Sequence, residues 1–252
     1  MKINLYDAQN YFRVKLETEG TGMTIRGIYS EISASQDLDI MIWDGKGGND
    51  RRREIYPDYK GKRKPAGESI WENLQLLKKV LNHTNCTQIT VPGYEADDVI
   101  AHMAIRLFTH KMPIHIWSTD GDLIQLCEIP GVTHMRGQTY KNNEPNMIRL
   151  FKTCVGDASD NIGGIPGFGE KTWAMSNKEE LLKFVKGEVA DAANVGVKKS
   201  TADWMVQNRS IIEAMWTITG FFEIPKEEVD RHSVKGRPQE HIAGELLREF
   251  ML

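Results

Sequence analysis

The sequence predicts an α/β fold in which a parallel sheet is followed by a helical lobe. Short apolar runs alternate with helical patterns over roughly the first 140 residues, an order that builds a parallel sheet with helices on both faces. After about residue 146 the strand signals stop and only helical patterns remain. We therefore expect an α/β core over residues 1–150 and a helical lobe over residues 151–252.

Five apolar runs predict the strands, because each is short and is bounded by turn residues. In chain order they are INLY (3–6), LDIMIW (38–43), QITV (88–91), IHIWS (114–118) and VTHM (132–135). Helical spacing of apolar residues predicts helices near 24–35, 67–82 and 95–109 in the core. The same spacing predicts helices near 146–155, 169–175, 178–186, 199–218 and 239–251 in the lobe.

Composition indicates a cytoplasmic globular protein. The chain has 252 residues, of which 40% are hydrophobic and 27% are charged, so it can bury a sizeable core. No apolar run is long enough to span a membrane, and the start lacks the apolar core of a signal peptide. The three cysteines lie far apart without a CxxC pair, which argues against disulfides and a zinc site. A net charge of −3 neither favours nor excludes nucleic acid.

Acidic residues follow four of the predicted strands, where ligands bind in an open parallel sheet. These acids are Asp7, Asp44, Glu95, Asp97, Asp98, Asp120 and Asp122. Asp157 and Asp160 are three residues apart, so they can share one helical turn and close the site from the lobe. Any single pair is also explained by a helix dipole or a turn. So many carboxylates at one edge would repel one another unless cations neutralise them, and oxygen ligands select Mg²⁺ or Mn²⁺.

A basic stretch, DRRREIYPDYKGKRKP, covers residues 50–65 and carries interleaved tyrosines. Its basic residues are Arg51, Arg52, Arg53, Lys60, Lys62, Arg63 and Lys64. Arginine and lysine neutralise phosphates, and Tyr56 and Tyr59 could stack on unpaired bases. A solvated charged loop is the plain alternative.

A glycine-rich stretch, NIGGIPGFGEKT, covers residues 161–172. Gly164, Gly167 and Gly169 permit tight turns and close approach to a ligand backbone. The helix that follows would offer free N–H groups beside Lys171 and Thr172, which is typical of a phosphate seat. The spacing is not that of a P-loop, and an ordinary glycine-rich turn is the alternative.

These motifs together resemble the 5′ nuclease family, which includes bacteriophage flap endonucleases, 5′–3′ exonucleases and the 5′-nuclease domain of bacterial DNA polymerase I. The resemblance rests on GYEADDVIA, STDGDLIQL, GDASDNIGGIPGFGEKT and YPDYKGKR, and it runs from Asp7 to about Thr172. It implies a PIN-like α/β core with a helical arch or clamp near residues 46–80. It also implies a helix-three-turn-helix motif near residues 155–175 of the helical lobe.

The resemblance implies the roles of the acids and of the basic residues. One metal site would use Asp7, Asp44, Glu95, Asp97 and Asp98, and another would use Asp120, Asp122, Asp157 and Asp160, with two or three Mg²⁺ or Mn²⁺ ions. Lys60, Arg63 and Arg52 would act at the scissile phosphate, and Tyr59 would stack on a base. The glycine stretch would hold duplex backbone and a K⁺ ion through the carbonyls of Ile162 and Ile165. We expect a monomer that cleaves DNA at 5′ flaps and 5′ ends, and RNA primer strands are a further expected substrate.

Three other classes are open on the sequence alone. A catalytically silent DNA-structure-binding protein would keep the basic and glycine motifs but lose acids, and this chain keeps all of them. An RNA-directed PIN nuclease usually has fewer acids and lacks the glycine motif. A metal-dependent phosphatase or Toprim-type protein would explain DGD at 120–122 but not the basic stretch.

Overall fold

The computed structural model describes residues 1–63 and 67–249 of the chain. It divides into two compact units. The first, called the α/β unit, comprises Met1–Gly48, Lys64–Gln138 and Phe222–Leu252; the second, called the helical unit, comprises Asn49–Arg63 and Thr139–Phe221. The sequence predicts a single boundary between core and lobe at residue 150. In the structure the chain leaves the α/β unit twice, at Asn49–Arg63 and at Thr139–Phe221, and returns to it each time.

Within the described residues the chain forms six strands and twelve α-helices. In chain order they are β1 (Ile3–Asp7), α1 (Ala8–Glu19), α2 (Thr21–Ala34), β2 (Leu38–Trp43), α3 (Asp50–Ile55), α4 (Glu68–Leu81), β3 (Thr87–Thr90), α5 (Ala96–Phe108), β4 (Ile114–Trp117), β5 (Val132–His134), α6 (Pro145–Val155), α7 (Glu170–Met175), α8 (Lys178–Val185), α9 (Lys199–Gln207), α10 (Arg209–Ile218), α11 (Lys226–Arg231), β6 (Ser233–Lys235) and α12 (Glu240–Glu249). Two short 3-10 helices cover Gly121–Glu128 and Ala193–Val195. None of the helices in the described residues combines the length and apolarity that crossing a bilayer requires.

The six strands of the α/β unit form one sheet in the order β5-β4-β1-β2-β3-β6. β1 to β5 run parallel, and only β6 is antiparallel to its neighbour β3. β1 lies between β2 and β4, with Asp7 paired to Ile42 and Tyr6 to Trp117. The carboxyl ends of these three neighbouring strands therefore finish side by side at one edge of the sheet.

The central strands are largely buried because both faces of the sheet are covered. All five residues of β1 are buried, as expected of a parallel strand under helices on both sides. Tyr6, Met41 and Trp43 pack with the buried residues of α1, α2 and α4 in one apolar cluster. Because side chains alternate along a strand, Leu5 and Ile42 fill the opposite face.

The helical unit has an apolar core of its own. Leu150 and Phe151 of α6, Leu181 and Phe184 of α8 and Met215 of α10 belong to one buried cluster. The spacing of these residues matches the three-to-four-residue period of an apolar helix face. Packing of this face fixes the loop that follows α6, where two of the acidic residues lie.

The five predicted strands and most of the predicted helices are confirmed to within a few residues. The prediction that strands stop after about residue 146 is wrong, because the short β6 pairs with β3 at the sheet edge. Its three residues are mostly exposed, so they carry no apolar run. The single helix expected over 199–218 is two helices that meet at Asn208. Helices α1, α3 and α11 were not anticipated.

Candidate active site

Three carboxylates meet where β1, β2 and β4 end in the α/β unit. Asp7 is the last residue of β1, Asp44 follows β2 directly, and Asp120 lies three residues after β4. Burial, together with the negative charges of Asp44 and Asp120, raises the pKa of Asp7 to about 7, against the lowering effect of its bonds from Asn10 and Ser118. The raised pKa records the cost of gathering negative charge at a buried edge.

The hydrogen bonds at this edge position the three carboxylates without neutralising them. Asp7 accepts bonds from the Asn10 amide at 3.2 Å and from the Ser118 hydroxyl at 3.1 Å. Asp44 accepts one from the Ala96 amide at 2.8 Å. Within the described part of the α/β unit, no lysine or arginine forms an ion pair with Asp7, Asp44 or Asp120.

The backbone beside Asp44 approaches the end of β3 very closely. A Cβ atom at Gly45 would lie 1.9 Å from the carbonyl oxygen of Val91, so only glycine fits there. The Gly45 amide also donates to the carbonyl of Tyr94 at 3.0 Å. This contact holds the end of β2 against the loop that leads into α5 and so fixes where Asp44 points.

The first turn of α5 contributes three more acids. Glu95 is the N-cap, and it forms a reciprocal capping box with Asp98. One oxygen of Asp98 accepts from the Glu95 amide at 3.3 Å and the other accepts from the Phe222 amide at 2.8 Å. Asp98 is only 1% exposed, and its two bonds join the start of α5 to the backbone at Phe222. Its part as a metal ligand, like those of Glu95 and half-buried Asp97, stays a prediction.

Asp120 also begins the 3-10 helix that carries Asp122. Its carboxylate accepts the Asp122 amide at 2.9 Å, which caps this short helix. The DGD stretch therefore turns tightly, with both acids half-buried near the sheet edge.

In the helical unit, Asp157 is neutralised by a buried lysine. Its Oδ2 lies 2.6 Å from Nζ of Lys152, which is itself only 3% exposed. Its Oδ1 accepts from the amide and the hydroxyl of Ser159 at 2.8 and 2.6 Å. Burial alone would raise the pKa of Asp157, but Lys152 and the Ser159 bonds outweigh it and lower the pKa to about 2.

Asp160 also has a basic partner, because Nη2 of Arg63 lies 2.6 Å from its Oδ1. Asp157 and Asp160 do not share a helical turn, and that prediction is wrong. They lie in a loop closed by paired backbone bonds between Asp157 and Ile162, at 2.9 and 2.8 Å. We call residues 157–162 the acidic loop. Gly156 ends α6 with a φ of +94°, which stops the helix before this loop begins.

Two residues predicted to contact DNA are buried instead. Arg52 is 3% exposed, and its guanidinium donates to the carbonyls of Ile218 and Gly220 at 3.1 and 3.0 Å. Tyr59 is 3% exposed and belongs to the apolar core of the helical unit. Burial therefore contradicts the predicted phosphate contact of Arg52 and the predicted base stacking of Tyr59. Both residues instead hold the basic stretch in place.

The remaining basic residues keep their heads at the surface. Arg51, Arg53, Lys62 and Arg63 are exposed, and Lys60 and Tyr56 are half-buried. Lys60 has a φ of +52°, which is unusual for a side-chain-bearing residue, and its Nζ lies 4.9 Å from the Tyr59 ring centroid. Lys64, also predicted to bind DNA, lies outside the described residues.

The glycine-rich stretch forms a tight connection between α6 and α7. Gly164 has a φ of +66°, and a Cβ atom there would lie 2.6 Å from the amide nitrogen of Gly156, so this glycine is required by packing. Farther on, the exposed residues are Gly167, Gly169 and Lys171, with Thr172 half-buried. The carbonyls expected to hold K⁺ already accept one bond each, that of Ile162 from Asp157 and that of Ile165 from Phe168. Their K⁺ role and the DNA role of the exposed residues stay predictions.

Three residues outside the predicted set position these acids. Ser118 is fully buried and bonds Asp7, and Asn10 links Asp7 to the Thr119 amide. Lys152 pairs with Asp157 across five residues. Ser118 stands in the STDGD run and was visible as a small polar residue before the acids. Lys152 had no signal, because a lysine on an amphipathic helix ordinarily points to solvent.

The fold and its acidic strand ends define an α/β protein with a candidate divalent-metal centre. Residues 11–151 match the family described as the 5′–3′ exonuclease N-terminal, resolvase-like domain. The match covers more than half of the chain, and the protein belongs to this family.

Similar proteins of other organisms agree with this family. A 5′–3′ exonuclease of Aquifex aeolicus is 29% identical over 158 residues, covering 59% of this chain and 55% of that protein. The thermostable DNA polymerase I of Thermus thermophilus is 29% identical over 214 residues, covering 75% of this chain and 26% of the polymerase. The chain thus spans about a quarter to about half of the length of these relatives.

Solved structures show the same fold. The bacteriophage T5 D15 protein, co-crystallised with metal ions, aligns with 99% of this chain and 97% of its own, at a TM-score of 0.67 and 18% identity. The catalytic core of Rad2 in complex with DNA substrate aligns with 98% of this chain and 86% of its own, at a TM-score of 0.51 and 13% identity. At these identities the likeness concerns the fold alone.

Proposed function

We propose that the protein is a divalent-metal-dependent 5′ nuclease that hydrolyses DNA phosphodiesters at 5′ flaps and 5′ ends. The observation that carries the proposal is the meeting of Asp7, Asp44 and Asp120 at the carboxyl edge of the sheet, with a raised pKa at Asp7. Family membership and the similar structures, which include a flap endonuclease in complex with DNA and metal ions, support it.

The residues at this edge fit a hard divalent cation. Their donors are all carboxylate oxygens, without histidine or cysteine, which favours Mg²⁺ or Mn²⁺ over softer metals. When bound, such ions lower the pKa of a water and stabilise negative charge at phosphorus. Asp7, Asp44 and Asp120 would hold one set of ions, supported by Glu95, Asp97, Asp98 and Asp122.

Residues of the helical unit would hold and orient the substrate. Asp157 and Asp160 would supply further metal ligands, after exchanging Lys152 and Arg63 for the ion. Lys60 and Arg63 would contact the scissile phosphate, while Arg51, Arg53 and Lys62 would neutralise neighbouring phosphates. Gly167, Gly169, Lys171 and Thr172 would contact duplex backbone, with K⁺ on the carbonyls of Ile162 and Ile165.

The proposal extends to the substrate and the active form. The protein would act as a monomer in DNA replication or repair, and RNA primer strands with 5′ ends would also be cleaved. Water would attack the phosphorus and the bond from phosphorus to the 3′ oxygen would break, so that products carry 5′-phosphate and 3′-hydroxyl ends, as membership of the family suggests.

A gel assay on labelled 5′-flap DNA, matched flap RNA and a small phosphate ester tests the proposal. The wild type should cleave the flap DNA only with Mg²⁺ or Mn²⁺, and Asp44→Asn should cut at least about 10³-fold more slowly. Asp37→Asn is the matched control, because Asp37 directly precedes the start of the same strand, and its carboxylate accepts the Lys2 amide at 2.9 Å and no other hydrogen bond from the described residues. Metal-independent cleavage, or full activity of Asp44→Asn, would refute the proposal.

A further inference from the structure

A turn of the basic stretch is fastened to the acidic loop inside the helical unit. We call residues 58–63 the basic turn. The Lys60 amide donates to the Asp160 carbonyl at 2.8 Å, and Nε of Arg63 donates to the Ser159 carbonyl at 3.3 Å. Nδ2 of Asn161 donates to the Asp58 carbonyl at 2.9 Å. With the ion pair of Arg63 and Asp160, four contacts join two segments about a hundred residues apart in sequence.

The acidic loop is the fixed partner in this contact. Its ends are tied by the paired backbone bonds of Asp157 and Ile162. Ile162 is buried in the apolar core of the helical unit, as is Ile165 just beyond the loop. A loop closed by two backbone bonds and seated in a core can hold a surface turn in a single position.

Asn161 is shaped for this contact in both backbone and side chain. Its φ of +59° lies in the left-handed region, which asparagine tolerates better than most residues. That conformation presents its amide to the carbonyl of Asp58, which also accepts the Gly61 amide at 3.0 Å. The carbonyl at the start of the basic turn is thus held from within the turn and from the acidic loop.

The Asn161 bond differs in kind from the ion pair beside it. Arg63 is half exposed at its side chain, so salt screens its attraction to Asp160. The Asn161 bond joins two uncharged groups, and salt leaves it in place. It does not involve the charged heads of Lys60 and Arg63, because it acts through the backbone of Asp58.

We propose that Asn161 is a positioning residue, which fastens the basic turn to the acidic loop and so sets the places of Lys60 and Arg63. The inference deepens the proposed nuclease function and rests on it for its consequence in catalysis. The fastening itself is a property of the free protein and can be measured without DNA or metal.

Amide hydrogen exchange of the full-length protein tests the fastening. In Asn161→Gly, which keeps the left-handed backbone but removes the donor, the amides of the basic turn should exchange about fivefold to tenfold faster. In 0.5 M salt, about enough to screen the ion pair, the wild-type turn should stay protected and the variant turn should not. Asn161→Asp, which replaces the donor by an acceptor, should behave like Asn161→Gly and serves if the glycine variant fails to fold.

Asn142→Gly is the matched control. Asn142 lies in the same unit with a φ of +61°, and within the described residues its side chain has no hydrogen-bond partner. This variant should leave exchange in the basic turn unchanged. Unaltered exchange in Asn161→Gly, or acceleration spread over the whole helical unit, would overturn the fastening.

Steady-state cleavage of 5′-flap DNA tests the positioning. Asn161→Gly should lower kcat about tenfold with KM changed less than about twofold, because Lys60 and Arg63 remain but are held loosely. A loosened turn with unchanged kcat would overturn the positioning role. If the wild type itself does not cleave, the proposed nuclease function fails, and the exchange data still decide whether Asn161 fastens the turn.

Discussion

The two units handle their clustered carboxylates in opposite ways. In the helical unit Asp157 and Asp160 each have a basic partner within 2.6 Å, so their charge is balanced inside the protein. In the α/β unit Asp7, Asp44 and Asp120 have only hydrogen bonds from neutral groups within the described residues, and their charges act on one another. From this difference we infer that the acidic edge of the α/β unit would need a cation from solution, whereas in the metal-free protein the acids of the helical unit already have basic partners.

The largest expected effect is on the internally balanced acid. Asp157→Asn leaves the ammonium of Lys152 buried without its counter-charge, which should lower the free energy of unfolding by about 3 kcal/mol. Urea unfolding in EDTA measures this. The double variant Lys152→Met/Asp157→Asn should recover most of the loss, because methionine fills the space without a charge. If Asp157→Asn alone lowered the free energy of unfolding by much less than this, the claim that the helical unit balances its acids internally would be contradicted.

His134, which lies beside Asp120, does not supply a positive charge to the acidic edge near neutral pH. Burial lowers its pKa to about 4, against the opposing pull of the Asp120 charge, so it is neutral near pH 7. In the unfolded chain this histidine takes up a proton near pH 6.5, whereas in the folded protein it does so only near pH 4. The contribution of neutral His134 to the free energy of unfolding is therefore fully present above pH 6.5 and is lost as the pH falls to about 4.

The pH dependence of unfolding tests this assignment. The wild type should lose about 2 kcal/mol more than His134→Gln between pH 7 and pH 4. His110→Gln, a change at an exposed histidine, is the control and should follow the wild type. If NMR showed that His134 titrates above pH 6.5, this residue would carry a positive charge beside Asp120. The contrast between the acids of the two units would then fail.

A smaller effect of opposite sign is expected at the sheet edge. Asp44→Asn keeps the acceptor for the Ala96 amide and removes one of three repelling charges. In EDTA it should therefore raise the free energy of unfolding by about 1 kcal/mol. Thermal unfolding beside Asp37→Asn measures this, and a clear destabilisation in EDTA would show that the acidic edge is balanced by some other group.

The smallest effect concerns an exposed basic residue. Lys62→Ala should weaken binding of flap DNA in Ca²⁺ by less than about 1 kcal/mol and reduce the slope of log K against log salt by about one. The melting temperature of the Lys62→Ala variant should equal that of the wild type. Lys186→Ala, at another exposed lysine of the helical unit, should leave the salt slope unaltered.

Much of the architecture was predictable because local patterns dictate it. Runs such as LDIMIW form buried parallel strands, and this one ends at Trp43, directly before Asp44, so the acids at the strand ends followed from the sequence. The sequence did not indicate which side chains of the basic stretch are buried. Arg52 and Tyr59 share the composition of a nucleic-acid-binding stretch, yet tertiary packing buries both. Charge partners separated in sequence, such as Arg63 and Asp160, leave no periodic trace and need the folded chain to be seen.

Calorimetric titration of Mn²⁺ into the DNA-free protein tests the central claim most directly. The dependence of the α/β unit on an external cation predicts that the wild type and Asp37→Asn bind Mn²⁺ alike, and that Asp44→Asn loses at least one bound ion. Equal binding by all three proteins, or no binding by any, would contradict the account.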